Sequence, residues 1–221
     1  KKEASQSAEV DEKLAALLTN FNAIRAIASA VEGTLGPKGL DTMLVDKFGD
    51  VVITNDGVTI LTMMEANHPA ARMLINTAKA QQEEVGDGTT TATVMASALV
   101  ASGVEKVMKG VPVSRVIEGM RMGLKKALEV MRSHVRQIDG LQDASVRQVA
   151  LVSGRGHEDI ADLVKEAAVL IGEDKLRDQT FKLSDTIVAE EGATNQVFMG
   201  VIVNKDRMNR QTPGELDNVK V

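Results

Sequence analysis

The chain has 221 residues, a formal net charge of −5, 43% hydrophobic residues and no cysteine. That length allows one large domain or two small ones with a sizeable core, and the acidic balance argues against a general nucleic-acid binder. The missing cysteines exclude a disulfide frame and thiolate chemistry, no signal peptide is recognisable, and the apolar runs read as too short to cross a bilayer.

Phe21, Phe48, Phe181 and Phe198 are the only aromatic residues, so the core must be aliphatic, with 11 methionines as adaptable filler. Residues 1–11 are polar and without pattern, and read as a loose terminus. Over 12–31 the pattern is helical, with Leu14, Leu17, Leu18, Phe21, Ile24, Ile27 and Val31 on one face and Gly33 as the stop. Thr34-Leu35-Gly36-Pro37-Lys38-Gly39 follows as a stiff loop. It suits a turn, and also a second cradle of backbone N–H groups, although the Walker spacing is absent.

Residues 43–46 and 51–54 are short and rich in β-branched side chains, with hairpin chemistry between them. The second strand runs into Asn55-Asp56-Gly57, a turn by default and also a common place for a catalytic carboxylate. A short helix over 58–64 precedes a longer one that opens at His68-Pro69, with the proline at its first position. The three histidines lack ligand spacing, and no zinc site is expected.

Gly86-Asp87-Gly88-Thr89-Thr90-Thr91 then leads into a helix expected over 92–108. Glycines let a backbone approach a ligand, and a helix start offers unpaired N–H groups to phosphate. Asp87 would repel a bare polyphosphate but suits Mg²⁺, which takes one or two carboxylates plus phosphate oxygens. A Gly-Asp-Gly turn with a cap is the plain alternative. Three consecutive threonines exceed what a cap needs, which favours phosphate.

Pro112 opens another helix, with Val116, Ile117, Met120, Leu124, Leu128 and Met131 on one face and basic residues in its later half. A polar stretch at 137–144 marks a domain boundary. Beyond it come a short helix at 146–151, a flexible break at Ser153-Gly154-Arg155-Gly156, and an amphipathic helix at 159–171. Strands are expected at 186–190 and 197–203, and the polar end, 209–221, reads as the start of another unit.

The three loops taken together resemble those of the chaperonins, above all the group II type, the archaeal thermosome and its eukaryotic cytosolic relatives. The likeness is carried by 34–46, 52–61, His68-Pro69-Ala70-Ala71 and 85–93, and extends over about residues 10–135. Residues 149–163 look more like the bacterial group I type, a mixture that points to the group II-like chaperonins of some bacteria, called group III. The resemblance implies a mainly α fold with small β elements. It places the N-terminal half of an equatorial ATP-binding domain at 1–137, the first segment of an intermediate domain at 138–204 and the start of an apical domain at 205–221.

It also implies an ATPase that drives closure of a double-ring protein-folding chamber. Leu35, Gly36 and Pro37 would lie against the nucleotide phosphates, and Gly88, Thr89, Thr90 and Thr91 would hold them. Asp87 would ligate Mg²⁺, and Asp56 would position or activate the attacking water. The implied cofactors are ATP or ADP with Mg²⁺, and K⁺ as a further cation. The implied partners are identical or homologous subunits in two stacked rings and unfolded protein clients, with no nucleic acid and no membrane, in the cytoplasm. The family's second catalytic carboxylate lies in a C-terminal half that these 221 residues do not include, so the chain is expected to be part of a longer subunit. The alternative is a non-hydrolysing fragment that only forms rings or holds clients. An unrelated phosphotransferase with a coincidental loop is a remote third reading.

Overall fold

The computed structural model describes residues 2–200 apart from 37, 47, 179, 190, 191 and 193, with side chains described from residue 12. The expected strand at 197–203 is not formed over its described part, 197–200, and its remainder, like the whole of the expected new unit at 209–221, lies outside the described residues. The chain divides into two compact units, 1–135 and 136–221.

The first unit is built on α1 (Lys2–Glu32), which packs on α3 (Pro69–Glu84) and α4 (Thr89–Met108). α1 begins at Lys2, so the expected loose terminus is helical. Its first residues lack an apolar stripe but are rich in Lys, Glu, Ala and Gln, all good helix formers, and propensity decides where packing does not. By length and composition Glu12–Glu32 is also apolar enough to cross a membrane, which corrects the reading of short apolar runs. Part of that apolar content is directed into the protein: Ile27, Ala28 and Val31 are buried, and Leu14, Leu17, Leu18, Phe21 and Ile24 are half-buried.

The core joins Ile27, Ala28 and Val31 of α1 to Ile60 and Leu61 of α2 (Gly57–Met63) and to Ala71, Leu74, Ile75 and Ala78 of α3. It is aliphatic, as the shortage of aromatics requires. Pro69 occupies the first turn of α3, and the His68 side chain accepts the Ala70 N–H through Nδ1 at 3.2 Å. β1 (Thr42–Val45) and β2 (Val51–Thr54) pair antiparallel, with Met43 opposite Ile53 and Val45 opposite Val51. These four side chains form one exposed apolar face of the ribbon. α4 starts at Thr89, three residues before the expected start, so the threonines form the helix's first turn. α5 (Val113–Ser133) keeps its strongly amphipathic pattern without burying any residue among those described.

The second unit pairs α6 (Ala144–Ser153) with α7 (Glu158–Ile171) and buries Ala161 and Ala168. Arg147 of α6 grips Asp162 of α7 in two hydrogen bonds, one of them Nη2 to Oδ2 at 2.9 Å. That bonding holds the Asp162 carboxyl below its ordinary pKa of 3.8. A short α8 (Glu173–Leu176) and a 3₁₀ turn (Leu183–Thr186) follow.

The expected strand at 186–190 is not formed: Thr186 ends the 3₁₀ turn and residues 187–189 have no regular structure. Strand-prone residues need a ladder partner, and the one described sheet is the β1–β2 ribbon. The break after α6 is a hydrogen-bonded helix stop. Gly156 N–H bonds Leu151 O and Arg155 N–H bonds Val152 O, the two bonds of a Schellman motif, with Arg155 left-handed at φ 56°. A Cβ is disfavoured in that conformation, where glycine is the usual residue. Arg155→Gly should therefore raise stability by up to about 1 kcal/mol, read as a later denaturation midpoint; an unchanged or earlier midpoint would count against the strain.

Candidate functional site

Three chain segments of the first unit meet at the N-terminus of α4. The first is the turn after α1. Thr34 is buried, and its hydroxyl donates to Val31 O at 2.8 Å. The Thr34 Oγ1 also lies 3.4 Å from Thr90 Oγ1. Because the Thr34 proton is used on Val31, Thr90 is the donor across that contact. At 3.4 Å the contact is weak and readily exchanged for a stronger acceptor. Leu35 and Gly36 are exposed just beyond it, with Gly36 at φ 84°. Pro37 lies outside the described residues.

The second segment is the N-terminus of α2. Asp56 caps this helix: Oδ2 accepts Thr59 N–H at 3.0 Å and the Thr59 hydroxyl at 2.6 Å. Among the described residues Oδ1 receives no hydrogen bond. Asp56 N–H in turn bonds Thr54 Oγ1 at 3.1 Å. The carboxylate is half-buried, with one oxygen occupied and one available.

Gly57, the first residue of α2, abuts the third segment. A Cβ there would stand 2.3 Å from Thr90 Oγ1 and 3.1 Å from Thr90 N. No side chain fits between the two helix starts, so glycine is what lets them touch. Gly57→Ala should push α2 away from α4 and lower stability by about 1–3 kcal/mol, as overpacking does, measured as an earlier unfolding midpoint. A variant as stable as the parent would mean that the close approach is not needed.

The third segment is Asp87-Gly88 and the threonines. Gly88 is the N-cap of α4, left-handed at φ 76°, and no side chain caps the helix. The N–H groups of Thr89, Thr90 and Thr91 fall in the first turn, where an α-helix has no partner for them. Thr89 is buried, Thr90 half-buried, and Thr91 and Asp87 exposed. Asp87 Oδ1 accepts Gly88 N–H at 2.6 Å. Three orphan amides at the positive end of a 20-residue helix, with hydroxyls alongside, suit an anion. A carboxylate beside them suits a cation carried by that anion.

The structure thus brings Thr34, Gly57, Thr89 and Thr90 together, with Leu35 and Gly36, Asp56, Gly88 and Asp87 as their immediate chain neighbours. The described grooves of about 360 Å³ (Arg136, Gln148, Val149, Val152) and about 160 Å³ (Ile138, Leu141, Leu176) belong to the second unit and contain none of these residues. Sequence reasoning placed Thr34 in the candidate cradle loop without giving it a role, and missed Thr59 and Gln81. Thr59 was recoverable as the hydroxyl three residues after an N-cap aspartate. Gln81, whose Nε2 donates to Asp87 O at 2.9 Å, carries no local signal.

Comparison with known proteins defines the class. The model of the TCP-1/cpn60 chaperonin family matches residues 27–221, and the chain belongs to that family. Among its relatives, the thermosome subunit of Methanocaldococcus jannaschii is 39% identical over 214 residues, covering 91% of this chain and 39% of the relative. Thermosome subunit alpha of Archaeoglobus fulgidus is 38% identical, with the same coverage. Among solved structures, a group III chaperonin in the open state superposes with a TM-score of 0.78 at 49% identity, over 89% of this chain and 40% of that one. The chain therefore spans about two-fifths of the length of these relatives. The mainly helical architecture, with one small β ribbon among the described residues, is that of a chaperonin.

Proposed function

We propose that this chain is the nucleotide-binding part of an ATP-dependent protein-folding chaperonin of the group III kind. The observation that carries the reading is the meeting of Thr34, Gly57 and Thr90 at the uncapped start of α4, next to Asp87. In this reading 1–137 is the N-terminal half of an equatorial domain, 138–204 the first segment of an intermediate domain and 205–221 the start of an apical domain. The subunit works in the cytoplasm in two stacked rings that enclose unfolded clients.

The phosphates of ATP lie between the backbone of Leu35, Gly36 and Pro37 and the first turn of α4. There the amides and hydroxyls of Thr89, Thr90 and Thr91 donate to phosphate oxygens, with Gly88 giving them room. The donor set fits Mg²⁺, since Asp87 is a single exposed carboxylate beside a phosphate cradle and this ion rarely takes more from protein. Bound there, Mg²⁺ would offset phosphate charge; K⁺ is a further cation that the resemblance implies. Asp56, fixed by Thr59, turns its remaining oxygen to the attacking water and takes its proton as the terminal phosphate is transferred. The donors are in place before the charge develops, so little reorganisation is needed.

The test is Mg²⁺-dependent phosphate release by the full-length, ring-assembled subunit. Release from ATP that stops when Mg²⁺ is chelated supports the reading, and nucleotide binding without any release would favour a client-holding module instead.

A further inference from the structure

Gln81 belongs to α3 and has none of the roles assigned above to phosphate, metal or water. Its side-chain amide nevertheless reaches the loop that carries Asp87, with Nε2 2.9 Å from the Asp87 carbonyl oxygen. The same nitrogen lies 3.5 Å from the position a Cβ on Gly88 would occupy.

The loop needs such a hold. Its two glycines, Gly86 and Gly88, sit at φ 78° and 76°, where the backbone has many alternatives of similar energy. The helical bonds of α3 run out at Gly86, whose N–H reaches Gln82 O, and those of α4 resume at Ala92 N–H to Gly88 O. Between them lies the Asp87–Gly88 peptide, a rigid plane. Both polar ends of that plane are engaged: the carbonyl by Gln81 Nε2, the N–H by Asp87 Oδ1. Rotating the plane would break both bonds. Its orientation sets where the Asp87 carboxylate stands and where α4 begins.

We propose that Gln81 is a positioning residue of the nucleotide site, locking the Asp87–Gly88 peptide so that the carboxylate and the first amides of α4 are set before Mg-nucleotide arrives. The inference rests on the nucleotide-binding reading given above. The hydrogen bond is solvent-exposed and Gln81 half-buried, so its loss should cost preorganisation rather than the fold.

The experiment uses the full-length assembled subunit carrying Gln81→Met, which keeps the length and loses the donor. The Kd and KM for Mg-ATP should rise about five- to tenfold, the loss of one net hydrogen bond. The kcat at saturating ATP should stay within about twofold, because the ordering cost falls on binding. In the ligand-free protein, amides of 86–90 should exchange faster while the unfolding midpoint stays put. Gln81→Leu, also without the donor and without added charge, should behave alike and serves if the methionine variant assembles poorly. Unchanged affinity and exchange would overturn the proposal. So would a parallel fall of kcat and unfolding midpoint, which marks a structural residue. Asp87→Asn run alongside separates the two levels. If it too binds Mg-ATP like the parent, the nucleotide site itself is wrong; if it alone loses binding, only the role of Gln81 falls.

Discussion

Asp87→Asn should lower ATP hydrolysis by at least about a hundredfold in the full-length subunit, the scale of losing one preorganised charge-stabilising group. The asparagine keeps an oxygen for the Gly88 N–H, which Asp87 Oδ1 accepts at 2.6 Å, so the loop geometry is spared and the charge alone is removed. Asp87→Ala removes both and should be at least as severe. Raising Mg²⁺ should recover part of the activity of Asp87→Asn, because a neutral amide binds the ion weakly but does not repel it. Steady-state turnover equal to the parent would remove Asp87 from the metal site.

Asp56→Asn should lower kcat by about 10²–10⁴-fold, the range for one positioned acid–base group, while the affinity for ATP changes little. The choice of asparagine follows from the structure. Asp56 caps α2 through Oδ2, and alanine would also strip that cap, costing about 1 kcal/mol of helix stability. A loss of rate in Asp56→Ala would then mix chemistry with a frayed α2, whereas asparagine still accepts the Thr59 N–H. Should equilibrium ATP binding collapse together with kcat in Asp56→Asn, Asp56 serves the metal or the fold and does not act on water.

The helices were legible wherever one face had to be buried or a special residue marked an end. Pro69 after His68, and Gly33 after the α1 stripe, set their boundaries through the chemistry of single positions. The first ten residues of α1 were not legible by that signal, because a polar helix has propensity without periodicity. Residues 187–189 mislead in the opposite sense: β-branched composition describes a surface that fits a sheet, and the sheet has to be there. At the candidate site, Gly88 and the threonines stood out because their types are uncommon together. The partners that orient the carboxylates did not. Thr59 is an ordinary helix residue until Asp56 is seen to cap it, and Gln81 is an ordinary surface glutamine until the loop folds back on α3.

Thr34 and Thr90 stand 56 residues apart in sequence yet within 3.4 Å in space. The proposed phosphate cradle is therefore a long-range contact, assembled only once α1, α2, α3 and α4 have docked, and it forms late compared with any of the helices. An unfolded or half-collapsed chain has nothing for a nucleotide to hold. On the proposed reading, bound nucleotide would act by mass action as a selective stabiliser of the finished core: at 100 times its Kd the gain would be about 2.7 kcal/mol. A subunit newly made where nucleotide is abundant would then be protected in proportion to how far its own folding has gone.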